Sequence, residues 1–286
     1  MLYASGQDWR GAKHKRVVVF AMSGLGKTHL SQMLRDQGDW FHYSIDYRIG
    51  TRYMGEYIID NAKAEAMKIP FLRELLLTDS IFIGSNITFA NLSPVASYLG
   101  KPGDPTHGGV PIDEYRRRQA QFQTAEIAAL NDTGYFIERA ERLYNYPNFI
   151  CDTGGSICEW VDGDDPHDPL MTELSRQALL LWIKGTEDHT QELIRRFDKA
   201  PKPMAYQPEF LTKCWTDYLQ ETGVAADKVN PDEFIRWTYS KALAHRQPRY
   251  DAMSKWGITV TAQDIEAVKT SDDFVDLVAT AIDQKT

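Results

Sequence analysis

The sequence predicts an α/β fold in which a parallel five-stranded sheet lies between layers of helices, with an inserted, mainly helical cap. Short, β-branched apolar runs recur along the chain, and stretches with helical periodicity separate them. Runs of this kind are typical of strands buried on both faces, and their alternation with helices implies parallel pairing and right-handed crossovers. One long polar segment, residues 78–148, interrupts the alternation and is predicted to be the cap.

Five strands and several helices follow from these patterns, in chain order. The strands are expected at 17–21, 40–45, 146–151, 179–183 and 257–260. The helices are expected after residue 27, over 52–77 with a break near Pro70, over 112–130, from the fourth strand through Phe197, and around 274–282. In open parallel sheets ligands bind outside the carboxyl ends of the strands, so functional side chains are expected there.

Composition narrows the class of protein. A chain of 286 residues can form one domain with a sizeable insertion, and we expect a single domain over 1–286. The net charge of −8 argues against a general nucleic-acid binder, which needs a broad basic surface. The three cysteines lack zinc-type spacing, and neither a signal peptide nor a membrane span is recognisable. We therefore expect a cytoplasmic enzyme.

A glycine-rich segment after the first strand predicts a phosphate-binding loop. Residues 17–30 are VVVFAMSGLGKTHL, close to the pattern Gly, four residues, Gly-Lys-Ser/Thr, but with Ala21 in the first position. Alanine is the smallest replacement, and it fits if the backbone φ there is negative. Backbone amides of such a loop cradle phosphate oxygens, and the helix N-terminus adds positive potential. The expected phosphate-binding residues are Ser23, Gly24, Leu25, Gly26, Lys27, Thr28 and His29, of which Thr28 would also bind Mg²⁺.

Two acidic residues end apolar strands. Asp46 closes the second strand, with Arg48 two residues on, and both are expected to bind the substrate. Asp46 would hold or deprotonate a hydroxyl of the substrate. Asp152 ends the third strand and is expected to help bind Mg²⁺. Gly154 and Gly155 follow it and would let the backbone approach a substrate. The alternative for Asp46 is a turn-forming or capping role, and the alternative for the segment at Asp152 is a structural strand–helix turn.

Two basic segments later in the chain are expected to contact the nucleotide. Arg196 on the helix after the fourth strand and Lys202 in the proline-rich flap, residues 199–210, would close over the γ-phosphoryl group. Residues 245–250, HRQPRY, are expected to form a loop in which Arg246 and Pro248 cover an adenine ring. Solvated cations at a helix end are the alternative for the first segment.

Taken in this order, these motifs resemble those of the shikimate-kinase-like group of P-loop small-molecule kinases. The chain diverges from this group, and its large insertion has no counterpart there. The resemblance implies the P-loop NTPase-type three-layer sandwich and the use of ATP and Mg²⁺. It also implies that Arg196 is a lid arginine and that Arg246 stacks on adenine. The group's Asp-x-Asp is here Ser44-Ile45-Asp46, and its Gly-Gly-Gly is Gly154-Gly155-Ser156.

The expected function is transfer of the ATP γ-phosphoryl group to a small-molecule acceptor, with Lys27, Asp46 and Arg196 as catalytic residues. Arginines 116–118, 139 and 142 either bind an anionic acceptor or form solvated helix faces. A nucleoside or nucleotide kinase is a further possibility. The competing class is an ATP-binding or slowly hydrolysing module that regulates a protein partner, which would expose an apolar patch on the insertion. The sequence predicts no oligomeric state.

Overall fold

A computed structural model describes residues 2–285 of the chain, which form two compact units. The first unit comprises the residues through Ile45, Glu126–Pro201 and those from Arg236 onward, and the second comprises Asp46–Ala125 and Lys202–Ile235. The bounds of the second unit differ from those of the predicted insertion, residues 78–148. The second unit begins earlier, at Asp46, and takes up a further segment far along the chain.

The first unit contains a five-stranded, entirely parallel sheet. Its strands are β1 (Arg16–Phe20), β2 (Trp40–Ser44), β3 (Asn148–Asp152), β4 (Leu179–Lys184) and β5 (Ile258–Thr261), in the spatial order β2-β3-β1-β4-β5. Val18 of the central strand lies opposite Cys151 of β3 and Leu180 of β4. All three side chains are buried, as expected for a strand with neighbours on both edges and helices on its faces.

Helices of the first unit flank this sheet, and other helices form much of the second unit. In chain order they are α1 (Gly6–Gly11), α2 (Lys27–Asp36), α3 (Ile45–Arg48), α4 (Gly55–Ala66), α5 (Pro70–Leu77), α6 (Ser93–Leu99), α7 (Ile112–Asn131), α8 (Thr133–Arg142), α9 (Pro169–Gln177), α10 (Glu187–Lys199), α11 (Pro208–Thr222), α12 (Pro231–Ser254), α13 (Ala262–Ala267) and α14 (Ser271–Lys285). In the first unit, α2 and α8 pack on β2 and β3, α9 packs on β4, and α13 and α14 pack on β5.

The predicted fold class is confirmed, since the sheet is parallel, five-stranded and flanked by helices. Each predicted strand lies within two residues of an observed one, because buried apolar runs are a local signal. The helical stretch predicted over 52–77 is α4 and α5, and it breaks before Pro70 as expected. Within residues 2–285, no helix is both long and apolar enough to cross a membrane.

One prediction of local structure is wrong. Residues 245–250, expected to form a loop, lie inside the 24-residue helix α12, which continues through Pro248. A proline removes one hydrogen bond from a helix interior, so the helix needs compensating contacts at this point. Arg246 and Tyr250, on either side of the proline, supply them by bonding to other parts of the first unit.

Candidate functional site

The loop between β1 and α2 has the backbone conformation that the phosphate-binding pattern requires. Gly24 and Gly26 have φ angles of 91° and 92°, in the region that favours glycine. Among residues 2–285, Asp79 and Asn145 are the only residues other than glycine that have a positive φ. Ala21 therefore has negative φ, so a methyl group at this position introduces no backbone strain.

The N-terminus of α2 is free to receive an anion. Gly26 caps the helix without any side-chain hydrogen bond, and the first turn contains no acidic residue. The amides of Thr28 and His29 lie in the first helical turn, where no intrahelical carbonyl can accept from them. The side chains of Ser23, Thr28 and His29 are exposed beside these amides. Donor groups and the positive end of the helix dipole thus coincide at one place.

The ammonium group of Lys27 lies against carbonyl oxygens of its own loop. Its side chain is 6% exposed, and its ammonium Nζ lies 3.0 Å from the carbonyl oxygen of Ala21 and 3.4 Å from that of Met22. These carbonyls provide partial compensation for a buried cation. A phosphate group would offer the same ammonium full negative charges, so the lysine is held ready at the loop.

Asp152 ends β3 immediately beside the loop. It lies in register with Val19 of β1, and its carboxylate oxygen is 3.8 Å from His42 Nε2. Over the described residues, 2–285, no three His, Cys, Asp or Glu side chains are grouped closely enough to hold a metal ion. Mg²⁺ commonly takes one or two protein oxygens and completes its shell with phosphate and water. Thr28 and Asp152 therefore fit a magnesium ion that arrives with a phosphate ligand.

The turn after Asp152 is packed against the phosphate loop. A Cβ atom on Gly155 would lie 2.6 Å from Ser23 Oγ, which is closer than real contacts allow. The hydroxyl of Tyr250 lies 2.8 Å from the Gly155 carbonyl and 3.0 Å from the Ala21 carbonyl, and donates to one at a time. Gly154, beside it, is buried. The absence of a side chain at Gly155 thus lets the two turns approach closely; a substrate contact of either glycine remains a prediction.

Helix α10 covers the loop. A Cβ atom on Gly24 would lie 2.7 Å from Leu193 Cδ2, and one on Gly185 would lie 3.1 Å from Leu25 Cδ1. A narrow cleft of about 10 Å³ remains beneath the helix, which is room for about one water molecule. Its lining includes Met22, Trp182, His189, Gln247 and Tyr250. A nucleobase can enter this cleft only if α10 moves.

Arg196, the predicted lid arginine, lies on α10 three residues after Leu193, or about one turn. Its Nε donates to Glu192 at 2.6 Å, and Glu192 also accepts from Arg195. Hydrogen bonds from these two arginines lower the pKa of Glu192 to about 2. All three side chains are substantially exposed, so this ion pair is weak and can exchange. The position suits a lid residue, and the role remains a prediction.

Arg246 has a different environment from the one predicted. Its guanidinium is buried, with Nε donating to Glu159 at 2.6 Å and Nη1 to the Gly155 carbonyl at 3.2 Å. His245 contacts the same carboxylate at 3.2 Å. Because Arg246 and Pro248 lie within α12, the predicted loop over an adenine ring does not exist here. Arg246 instead anchors this helix beside the phosphate loop.

Two buried glutamates near this anchor were not singled out from the sequence. Glu126 is fully buried and accepts hydrogen bonds from Ser156 Oγ at 2.5 Å and Trp160 Nε1 at 2.6 Å. Burial would raise the pKa of Glu159, but the hydrogen bond from His245 and the charge of Arg246 outweigh it, so this pKa is lowered. Both glutamates hold the segment that follows the glycine turn.

The remaining predicted residues lie in the second unit. Asp46 is in α3, directly after the end of β2 in the chain. The Arg48 guanidinium lies 5.5 Å from the centre of the Tyr53 ring, a cation–π contact. Lys202 is exposed at the start of the proline-rich segment. Their predicted roles toward substrate and nucleotide remain predictions.

The predicted flap, residues 199–210, is hydrogen-bonded to α7 near its centre. Gln119 of α7 donates from Nε2 to the Met204 carbonyl at 3.0 Å, and its Oε1 accepts from the Tyr206 amide at 2.9 Å. The Tyr115 hydroxyl also donates to the Met204 carbonyl. Tyr206 itself is fully buried. Over these residues the segment is a strap held on α7 by hydrogen bonds, and the mobility expected from its composition remains a prediction.

The arginines proposed as anion ligands are bound to neighbours on their own helices. Arg116 pairs with Asp113, Arg117 and Arg118 pair with Glu114, Arg142 pairs with Glu138, and Arg139 donates to the Tyr135 hydroxyl. Such i,i+3 and i,i+4 contacts are typical of helix surfaces. Of the two interpretations that the sequence left open, this arrangement favours helix faces over an anion site.

Comparisons with known proteins do not identify the activity. No protein-family model and no curated protein matches the chain. Among solved structures, the chain is similar to a crystal structure of shikimate kinase from Bacteroides thetaiotaomicron, with 14% identity and a TM-score of 0.37 over 95% of this chain and 96% of that one. At this level of similarity, neither substrate nor reaction transfers from one protein to the other.

Proposed function

We propose that the first unit binds ATP with Mg²⁺ at Ala21–Thr28 and that the protein is a phosphotransferase acting on a small-molecule acceptor. The observation that carries this proposal is the geometry of the loop. A buried strand leads into two left-handed glycines, a buried lysine and an uncapped helix N-terminus. These four features together serve anion binding and are not needed by an ordinary strand–helix turn.

Each residue of the loop has a role in this proposal. The amides from Gly24 to Thr28 bind phosphate oxygens, and Lys27 exchanges its two loop carbonyls for the β- and γ-phosphates. Thr28 and Asp152 orient the metal, directly or through water. Mg²⁺-bound ATP would supply the γ-phosphoryl group and part of the charge that neutralises it. The protein contributes mainly by positioning and electrostatic stabilisation.

Two further steps belong to residues outside the loop. Leu193 must leave Gly24 for the nucleotide to enter, so we propose that α10 opens and then closes again with Arg196 directed at the phosphates. Asp46 is proposed to hold or accept the proton of the acceptor hydroxyl. Arg48 would orient the same acceptor.

The test is ADP release from Mg·ATP over a panel of small hydroxylated and carboxylated metabolites, with nucleotide binding measured separately by calorimetry. We expect one class of acceptor to raise turnover, and Lys27→Ala to lower that turnover by roughly a hundredfold or more. Lys213→Ala, which removes an exposed surface lysine, is the matched control. If ATP fails to bind to the unaltered protein, the proposal is wrong.

A second candidate function is favoured by one observation. The second unit exposes Phe71, Leu77 and Phe82, large apolar side chains of the kind that mark interaction surfaces. An ATP-binding module that regulates a partner would need such a surface. This candidate replaces the phosphotransferase if ATP binds through Lys27 while no acceptor in the panel raises ADP release.

A further inference from the structure

A cavity in the second unit has no part in the proposed function. It has a volume of about 370 Å³ and is lined by residues of α4, of α6 and of the segment 83–91. Neither Asp46 nor Arg48, the residues proposed to bind the acceptor, lines it. Pockets that bind small molecules have volumes of roughly 300–1,000 Å³, so this cavity has room for a compound of metabolite size.

The two helices line the cavity with corresponding positions. On each helix, three of the lining residues are spaced i, i+3 and i+4, which places them on one side of the helix. They are Ile58, Asn61 and Ala62 on α4, and Pro94, Ser97 and Tyr98 on α6. The two helices contact each other, and the segment 83–91 closes the remaining side.

Arg118 of α7 connects the two helices. Its Nη2 donates to Asn61 Oδ1 at 2.9 Å, and its Nη1 donates to the Tyr98 carbonyl. The guanidinium carbon also lies 4.7 Å from the centre of the Tyr98 ring, and the Tyr98 hydroxyl donates to Gln121 Oε1 at 2.6 Å. Because hydrogen bonds hold both Asn61 and Tyr98, the cavity is formed before a ligand arrives, and binding orders few protein groups.

The contact with Arg118 sets the direction of the Asn61 amide. A guanidinium group only donates, so the Asn61 atom that it contacts is the carbonyl oxygen, and the amide nitrogen Nδ2 keeps two donors. In the described part of the chain, this nitrogen and the side chains of Ser85, Asn86 and Ser97 form no hydrogen bond. The cavity therefore offers both donors and acceptors to a ligand.

The lining of the cavity carries no charge. Among residues 2–285, those that line it include no Asp, Glu, Lys, Arg or His. Arg118, which contacts two of them, is paired with Glu114 at 2.8 Å. Hydrogen bonds from Arg117 and Arg118 lower the pKa of Glu114 to about 2, so its carboxylate neutralises the pair at neutral pH. A carboxylate or phosphate bound here would lose water without gaining a counter-ion, which disfavours ionised ligands.

We propose that this cavity binds an uncharged ring compound with an amide edge, in which a carbonyl group is bonded to an N–H group, as in a carboxamide or in the bases uracil and guanine. The ring would lie against the apolar side chains Ile58, Ile83 and Tyr98. Asn61 Nδ2 would donate to the carbonyl, and the N–H group would donate to the side-chain oxygen of Asn86 or Ser97. Amide side chains suit such an edge because both partners carry a donor and an acceptor.

A ring fits this cavity better than a flexible chain of the same size. It brings apolar area to the isoleucines without rotatable bonds, so less conformational entropy is lost on binding. The inference does not depend on ATP, since the lining residues belong to the second unit alone. Lys27→Ala should therefore leave binding in the cavity unchanged, and a failure of the ATP site can be distinguished from a failure of this one.

NMR titration of the full chain with uridine and nicotinamide tests the proposal. Nicotinate, which has the shape of nicotinamide but carries a carboxylate, is the matched charged probe. We expect uridine and nicotinamide to bind at millimolar or lower concentration. Nicotinate should bind at least roughly tenfold more weakly than nicotinamide, because the cavity offers it no counter-charge.

Two substitutions assign the binding to this cavity. Asn61→Asp keeps the oxygen that accepts from Arg118 but removes the amide donor, and should weaken binding at least roughly tenfold. Ser97→Trp, at an exposed position of α6, fills part of the cavity and should abolish binding. Asn131→Asp and Ser240→Trp make the same changes at exposed positions outside the cavity and should leave binding unchanged.

Three results would overturn the proposal: no binding of either uncharged probe, equal affinities for nicotinamide and nicotinate, or binding that either cavity variant leaves unchanged. Circular dichroism establishes that each variant is folded. If Ser97→Trp unfolds the protein, Ala62→Phe takes its place. Ala62 is an exposed lining residue of α4, so this variant should fold and still obstruct the cavity, and full binding to it contradicts the site.

Discussion

The two units of this molecule differ in the polar and apolar groups that they bury and expose. In the first unit, several charged side chains are buried and hydrogen-bonded: Lys27 to loop carbonyls, Arg246 to Glu159, and Glu126 to Ser156 and Trp160. In the second unit several ion pairs lie on helix surfaces, and large apolar side chains of α5 and of the following segment face solvent.

The two arrangements suit different functions. A buried, hydrogen-bonded network around glycine turns keeps donor groups in place before a ligand arrives, so little reorganisation is needed when charge develops. An exposed apolar helix gains free energy only when something covers it. The buried network of the first unit fits the small anionic ligand that we propose for it, and the exposed apolar side chains of the second unit would fit association with a partner. The predictions below test the two halves of this contrast.

The largest expected effect concerns the buried ion pair of the first unit. Glu159→Gln leaves the guanidinium of Arg246 buried without its counter-charge, and breaking such a pair costs about 3–5 kcal/mol of unfolding free energy. Urea unfolding followed by circular dichroism measures it. Glu173→Gln, which removes an exposed partner of Arg176, should cost less than about 1 kcal/mol. Equal losses from both variants would contradict the contrast between buried and surface charges.

The same pair predicts a pH dependence. The pKa of Glu159 is lowered from its usual 4.5 in the folded protein, so its contribution to stability is present above that value and is lost as the pH falls below it. Between about pH 5 and pH 3, the unaltered protein should lose more unfolding free energy than Glu159→Gln. Parallel curves for the two proteins would show that Glu159 does not titrate as the geometry requires.

Gly155→Ala should produce the next largest effect, because the added methyl group meets Ser23 at 2.6 Å. Rotation of the Ser23 side chain relieves this contact, but the methyl group still lies 3.2 Å from the Ser23 backbone nitrogen. The loop must shift slightly, and overpacking of this kind costs about 1–3 kcal/mol. Nucleotide affinity by calorimetry should fall together with the unfolding free energy. Gly11→Ala adds the same group at the end of helix α1, where no atom lies within 4 Å, and should lower neither quantity.

In the second unit, Gln119→Ala tests whether the strap at Met204 and Tyr206 is fixed. The variant leaves the buried amide of Tyr206 without its acceptor, at a cost of about 1–3 kcal/mol. Amide hydrogen exchange of Tyr206 should accelerate accordingly. Gln123→Ala, on the same helix, removes an amide that makes no hydrogen bond in the described part of the chain. If Tyr206 exchanges fast in the unaltered protein, the segment is a mobile flap after all.

Sequence patterns predicted the first unit better than the second, for a physical reason. The strands, the glycine loop and Asp152 at a strand end are local features, encoded within a few residues of the position concerned. The Arg246–Glu159 pair joins residues 87 positions apart in the chain. The periodicity of apolar residues in the sequence contains no information about so distant a partner. The chemistry of HRQPRY suggested a loop, but long-range bonds on both sides of Pro248 keep it helical.

The second unit was beyond local reasoning because it is assembled from two distant segments, Asp46–Ala125 and Lys202–Ile235. Proline and lysine in residues 199–210 indicate an exposed, flexible segment, and the decisive contact comes from Gln119 on another helix. The basic run at 116–118 indicates an anion site, but acids one turn away neutralise it. In each case the residue that determines the structure lies outside the sequence segment from which the prediction was made.

The smallest expected effect tests whether α10 holds the loop closed. Leu193 packs on Gly24, and shortening it to alanine removes part of the contact that must break before a nucleotide enters. Loss of about 1 kcal/mol from the closed form would raise nucleotide affinity about fivefold, since less of the binding free energy is used for opening. Calorimetry with Mg·ATP measures this directly, and Gln191→Ala, an exposed side chain on the same helix, is the control. A weaker affinity in Leu193→Ala would mean that this leucine contacts the bound nucleotide rather than obstructs it, and α10 would then be part of the binding surface in its present position.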